Sequence, residues 1–171
     1  MLSGMKSNKR SGFALAEMAM SVAVLVVLAG FSVQMFVASK NANSRSYDLY
    51  KAMSYAISII ETVKGVPGPE ALTEEDFEPG AAISISGQRM VISLFLDASW
   101  SPISAERHKA EPLYSVKAEV TPSSSTARQA EYRVYNIKVQ VVRLLPYVLE
   151  KDANKEILSI ETTKCYTDFA R

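Results

Sequence analysis

The chain has 171 residues, 48% of them hydrophobic, with 19 Lys and Arg against 18 Asp and Glu and a formal net charge of +1. That length allows one compact domain beside an apolar segment, and so even a balance leaves no basic face for nucleic acid. A single cysteine, Cys165, rules out an intrachain disulfide, and a single histidine, His108, rules out zinc-ligand spacing. A lone cysteine is most often buried and inert, with intermolecular pairing as the alternative.

The chain begins with a basic leader, residues 1–12, in which Lys6, Lys9 and Arg10 stand without an acid; the remainder carries a slight acidic excess. From Phe13 to Ser39 the only ionisable side chain is Glu17. About 20 apolar residues suffice to cross a bilayer, so residues 13–39 form a candidate transmembrane half-helix. The leader predicts that its N-terminus stays in the cytoplasm and the rest lies outside it.

Glu17 separates three readings of this segment. A secretory signal would be cut after the run, near Ala38 or Ala42, but the run exceeds the roughly 7–15 residues of such a signal. An uncut anchor fits the length and leaves the acid without a purpose, although a charge near the membrane is unfavourable. A cut between Gly12 and Phe13 would instead create an α-amino group of pKa about 7.7–8.0 four residues before Glu17. Within one chain, amine and carboxylate then lie about one helical turn apart; between neighbouring chains they can pair directly. In a low dielectric that pairing offsets much of the desolvation each ion suffers alone. The acid becomes a device for choosing a neighbour and a register.

The stretch "KRSGFALAEM" resembles the processing site of the type IV pilin superfamily: a short basic leader, Gly, then Phe, with Glu fifth in the mature chain. The resemblance covers about residues 6–40 and departs at Ala14, where many members have Thr. It implies cleavage after Gly12 by a prepilin peptidase and N-methylation of Phe13. It also implies an assembly charge pair between Glu17 and a Phe13 amine. The implied partners are other pilin or pseudopilin subunits, an inner-membrane assembly platform and the lipid bilayer, with no cofactor.

Residues 40–64 turn polar without a Pro or Gly to break a helix. Tyr47, Tyr50, Met53, Ile57 and Ile60 recur at steps of three and four, which predicts a core-facing stripe. Asp48, Lys51, Ser54, Ser58 and Glu61 each follow by one residue and form a predicted polar flank. Gly65 and Pro67 supply the stop. The prediction is one helix from Phe13 to Lys64, about 75–80 Å long, apolar all round in its first half and amphipathic in its second.

Residues 65–171 read as a globular sheet domain. "GVPGPEALTEEDFEPG" is an acidic loop with a short helical turn near Glu70–Phe77, and it lacks the ligand spacing of an EF-hand. "AAISIS" and "RMVISLFL" flank Gly87 and Gln88 as a hairpin. "LYSVKAEVT" alternates with Tyr114, Val116, Ala118 and Val120 on one face; "YRVYNIKVQVVRL" alternates through Tyr135, Ile137, Val139 and Val141. "EILSIETTKCY" follows a turn at Asp152–Lys155. Five strands after a helix predict an α+β fold in which an antiparallel sheet packs on the helix, the arrangement the pilin resemblance also implies.

No catalytic constellation is visible. His108 sits in the charged stretch "SAERHKAE", and no nucleophile elbow, Walker A or dinucleotide fingerprint occurs. Trp100 is either a partner contact or a cover for the end of the core. "SYAISIIETVKG" and "EILSIETTK" are similar to minor pilins and the smaller type II secretion pseudopilins. The expectation is therefore a non-enzymatic minor pilin or pseudopilin of a type IV pilus, secretion or DNA-uptake filament. The alternative is a single-span, membrane-anchored extracytoplasmic binding module that does not assemble.

Overall fold

The computed structural model describes residues 8–103, 111–123, 132–148 and 150–167. His108, Lys6 and most of the Ser-rich connection after Pro122 lie outside them. A helix α1 (Asn8–Gly65) is followed by strands β1 (Ala82–Ser86), β2 (Arg89–Leu96), β3 (Tyr114–Pro122), β4 (Tyr132–Arg143) and β5 (Lys155–Thr167). The chain divides into two compact units, Met1–Asn43 and Ser44–Arg171.

In the first unit α1 runs unbroken through Gly30, which meets nothing within 4 Å. The helix already includes Asn8, the first described residue, five residues before the predicted start at Phe13. The leader holds no Pro, and Gly12 alone lowers helix propensity by only about 1 kcal/mol.

In the second unit the strands form a meander, β1-β2-β3-β4-β5, with every neighbour antiparallel. The α+β architecture expected from the sequence is the one observed. Gly87 and Gln88 close the first hairpin between the paired Ser86 and Arg89. Only Gly87 has positive φ, 61°, the pattern of a II′ turn with Gly at its first central position. The register stacks inward residues in rows across three strands: Met90, Val120 and Ile137; Ile92, Ala118 and Val139; Leu94, Val116 and Val141. All nine are buried.

Roughly the last four to five turns of α1 complete this core, on a different side from the one predicted. Asp48, Ala52, Ala56, Ile59 and Val63, at steps of four, four, three and four, are the buried positions. Tyr47, Tyr50, Met53 and Ile57 face water, and Ile60 is half-buried. The reason is size: two alanines let the helix backbone approach the sheet, where a stripe of Tyr and Met would hold it away. The end of α1 is fixed by Tyr166, whose hydroxyl donates to the Val63 carbonyl at 2.6 Å, and by Lys64, which donates to Thr162 Oγ1 at 2.8 Å. The first of these satisfies one of the carbonyls a helix end leaves open.

The acidic loop contains two short 3-10 turns, Pro69–Ala71 and Glu74–Asp76, where one helical turn was predicted. Asp76 accepts from Thr73 N and Thr73 Oγ1 at 2.8 and 3.0 Å, so each end of the second turn caps the other.

Candidate functional site

From Leu15 to Phe36 every large apolar side chain is more than half exposed. This part of α1 is long and apolar enough to span a membrane, with a mean hydropathy of 2.2 over its most apolar stretch, no residue of which is buried. Ser21 Oγ donates to the Glu17 carbonyl and Ser32 Oγ to the Leu28 carbonyl, both at 2.9 Å. Each hydroxyl is thus satisfied by its own helix and needs no water. Glu17 is exposed within this run. Gly12 and Phe13 belong to the same continuous helix, so Phe13 and Glu17 are separated by one turn, an axial rise of about 6 Å. Lys9 and Arg10 lie on this same helix, just ahead of the Gly12–Phe13 junction.

The second unit contains an ionic cluster around Asp48, a residue that the sequence analysis assigned to the polar flank of the helix. Asp48 is 2% exposed and fully engaged. Its Oδ1 accepts from the Tyr114 hydroxyl at 2.8 Å; its Oδ2 accepts from the Tyr147 hydroxyl at 2.8 Å and from Arg143 Nη1 at 2.7 Å. Arg143 also donates to the Tyr114 hydroxyl at 3.0 Å and the Leu145 carbonyl at 3.0 Å, with its guanidinium 4.2 Å from the centre of the Tyr147 ring. Burial, and then the hydrogen bond to the Asp48 carboxylate, pushes the Tyr147 phenol up to about 12. The same two causes raise the Tyr114 phenol. Outside the cluster Glu150 pairs with Arg45 and, at 3.2 Å, with Lys155.

A signal for this cluster was present. The inward alternation Tyr135, Ile137, Val139, Val141 continues to Arg143, so β4 must point a cation at the core face. Asp48 begins the series that Ala52 and Ala56 continue on α1. Reading small residues as a packing face would have joined the two.

Trp100 covers the core, as the second of its two predicted readings had it. Asp97 accepts from Ser99 N and Ser101 N, a tight turn that holds Trp100 at a φ of 61°. Its ring, 3% exposed, stacks on Tyr114 with centroids 4.0 Å apart, and the Tyr55 hydroxyl donates to its carbonyl at 2.7 Å. Cys165 is exposed, and so is not the buried thiol that is the commoner of its two expected states. Alternation along β5 turns its neighbour Tyr166 inward and Cys165 therefore out.

Among the described residues no group of three or more His, Cys, Asp or Glu side chains could hold a metal ion. A cleft of about 300 Å³ between α1 and the acidic loop is lined by Tyr55, Ile59, Phe77 and Glu78, and a shallower one of about 180 Å³ by Arg45, Leu49 and Tyr147. No protein-family model, curated protein or solved structure matches this chain.

Proposed function

We propose that the chain is a minor pilin or pseudopilin: a structural subunit of a type IV pilus or related secretion or DNA-uptake filament. The observation that carries this reading is Glu17, the one ionisable group in an exposed apolar helix long enough to cross a membrane, one turn after a Gly–Phe junction behind a basic leader. The leader holds the N-terminus in the cytoplasm, and a prepilin peptidase cuts between Gly12 and Phe13. The freed amine, N-methylated on Phe13, remains a cation and supplies Glu17 with a counter-charge. The sheet unit stands on the extracytoplasmic side.

Assembly moves the apolar half-helix from lipid into a bundle of like helices with the help of the inner-membrane platform. Lipid and bundle are both apolar, so the transfer is nearly balanced and the charge pair sets the register. Glu17 then pairs with the Phe13 amine of a neighbouring subunit.

The test is the mass of the native polypeptide. A species beginning at Phe13, lost in Gly12→Ser, is expected. A chain starting at Met1 would leave only a single-span anchored binding module. Glu17→Ala should keep the cut and lose filament incorporation by tenfold or more, on the scale of about 1.4 kcal/mol per tenfold. Normal incorporation would remove the pairing mechanism.

A further inference from the structure

The cleft between α1 and the acidic loop has a lining of two kinds. Ile59 and Leu94, both buried, form its floor, and half-buried Tyr55 and Phe77 form aromatic walls. Asp76 and Glu78 stand exposed at its rim, and no lysine or arginine lines it. Asp76 is already bonded to Thr73, but the Glu78 carboxylate has no hydrogen bond or ion pair among the described residues. Burial, and then the Glu78 and Asp97 carboxylates, raise the Tyr55 phenol, so the opening is electronegative. The lining is also fixed before anything binds. The Tyr55 hydroxyl donates to the Trp100 carbonyl at 2.7 Å. On the loop, Phe77 N donates to the Glu74 carbonyl at 3.3 Å and Ala81 N to the Glu78 carbonyl at 3.0 Å.

We propose that this cleft receives an arginine side chain of a different polypeptide. An apolar floor with a carboxylate rim suits a group that is aliphatic along its stem and cationic at its tip. A volume of about 300 Å³ is at the low end for ligand pockets, room for one long side chain rather than a helix or strand. Two aromatic walls favour guanidinium over ammonium, which stacks less well on rings and gives up more hydration on entering. The planar fork can reach Glu78 while the stem lies on Ile59 and Leu94. A second copy of this chain has no arginine to spare among the described residues of its second unit. Arg45, Arg89, Arg133 and Arg143 pair with Glu150, Glu119, Glu70 and Asp48 in that order. The guest therefore comes from another protein, and arginine is among the residues that most often carry binding energy at interfaces. The inference does not depend on a cut at Phe13.

The experiment uses the full chain in detergent and capped peptides of glycine and leucine around a central arginine, lysine or citrulline. Binding is read by titration calorimetry and by emission of Trp100, the chain's one tryptophan, which stacks on Tyr55 with centroids 6.0 Å apart. The arginine peptide should bind one to one with a Kd of about 1 mM or tighter. The lysine peptide should bind about threefold more weakly and the uncharged citrulline peptide about tenfold more weakly. Glu78→Gln should weaken the arginine peptide about tenfold. Glu75→Gln makes the same charge change in the same loop but outside the lining, and should leave affinity within about twofold. No binding, or equal binding of the citrulline peptide, overturns the proposal. Lysine binding as tightly as arginine overturns the choice of guanidinium, and equal losses at positions 75 and 78 reduce the effect to diffuse charge and overturn the site. If Glu78→Gln instead breaks self-association of the chain alone, the occupant is a second copy and the assignment to another polypeptide falls.

Discussion

Asp48 shows what one residue does to this fold. A carboxylate 2% exposed is unfavourable unless both its oxygens are satisfied, and here two phenols and a guanidinium donate three hydrogen bonds to them. Removing one partner strands the others, so Asp48→Ala and Arg143→Met should each cost about 3–5 kcal/mol in chemical denaturation. The double variant should lose less than the sum by about 0.5–3 kcal/mol, since the two groups act as a unit. Strict additivity would mean that the cluster is not coupled. The phenols give the same site a pH signature. Tyr147 holds its proton up to about 12 in the fold, whereas an unfolded tyrosine releases it near 10. A raised pKa means that the folded chain binds more protons than the unfolded one above pH 10. The stability from this source is complete below about pH 10 and is lost as pH rises toward 12. Absorbance of tyrosinate should therefore rise in step with loss of near-ultraviolet circular dichroism, and Tyr147→Phe should weaken that coupling.

At the scale of elements, β-strands were readable and the helix face was not, for a physical reason. Alternation has a period of two and is sharp: Tyr114, Val116, Ala118 and Val120 point inward as predicted, as do Ile137, Val139 and Val141. A helix offers overlapping series at steps of three and four, and weighting by side-chain bulk selected Tyr47, Tyr50, Met53 and Ile57. The sheet selected Ala52 and Ala56, because contact area with a flat partner depends on how closely the backbone approaches. The apolar span and its Glu17 were legible from composition alone. The Asp48–Arg143 cluster was legible only in part: alternation along β4 marks Arg143 as inward, but its partner lies 95 positions away and the two meet only in the folded chain. The two faces of α1 predict opposite responses. Ala56→Leu should destabilise by about 1–3 kcal/mol through overpacking, although it adds apolar surface. Ile57→Ser, which removes apolar surface, should stay within about 0.5 kcal/mol. Thermal melts of the two variants decide which side of the helix is core.

The whole molecule joins a unit that buries side chains to one that exposes them. Every residue of the main core cluster, from Ala52 to Val141, belongs to the second unit. Leu15 through Phe36, by contrast, presents a predominantly apolar surface, interrupted by Glu17 and few other polar residues, far beyond what a soluble monomer tolerates. The chain is therefore expected to need a bilayer, detergent or a bundle of helices around its first unit and none of these around its second. A fragment beginning at Ser44 has roughly 130 residues, a size that sustains its own core. It keeps the Asp48 cluster, the Tyr166 and Lys64 contacts at the helix end, and all five strands. That fragment should be soluble without detergent, melt cooperatively, and give the same denaturation midpoint as the full chain in detergent within about 1 kcal/mol. A fragment that aggregates would show that residues before Ser44 contribute to the core. A fragment that melts without cooperativity would show the same, and the separation of an anchoring unit from a folding unit would then fall.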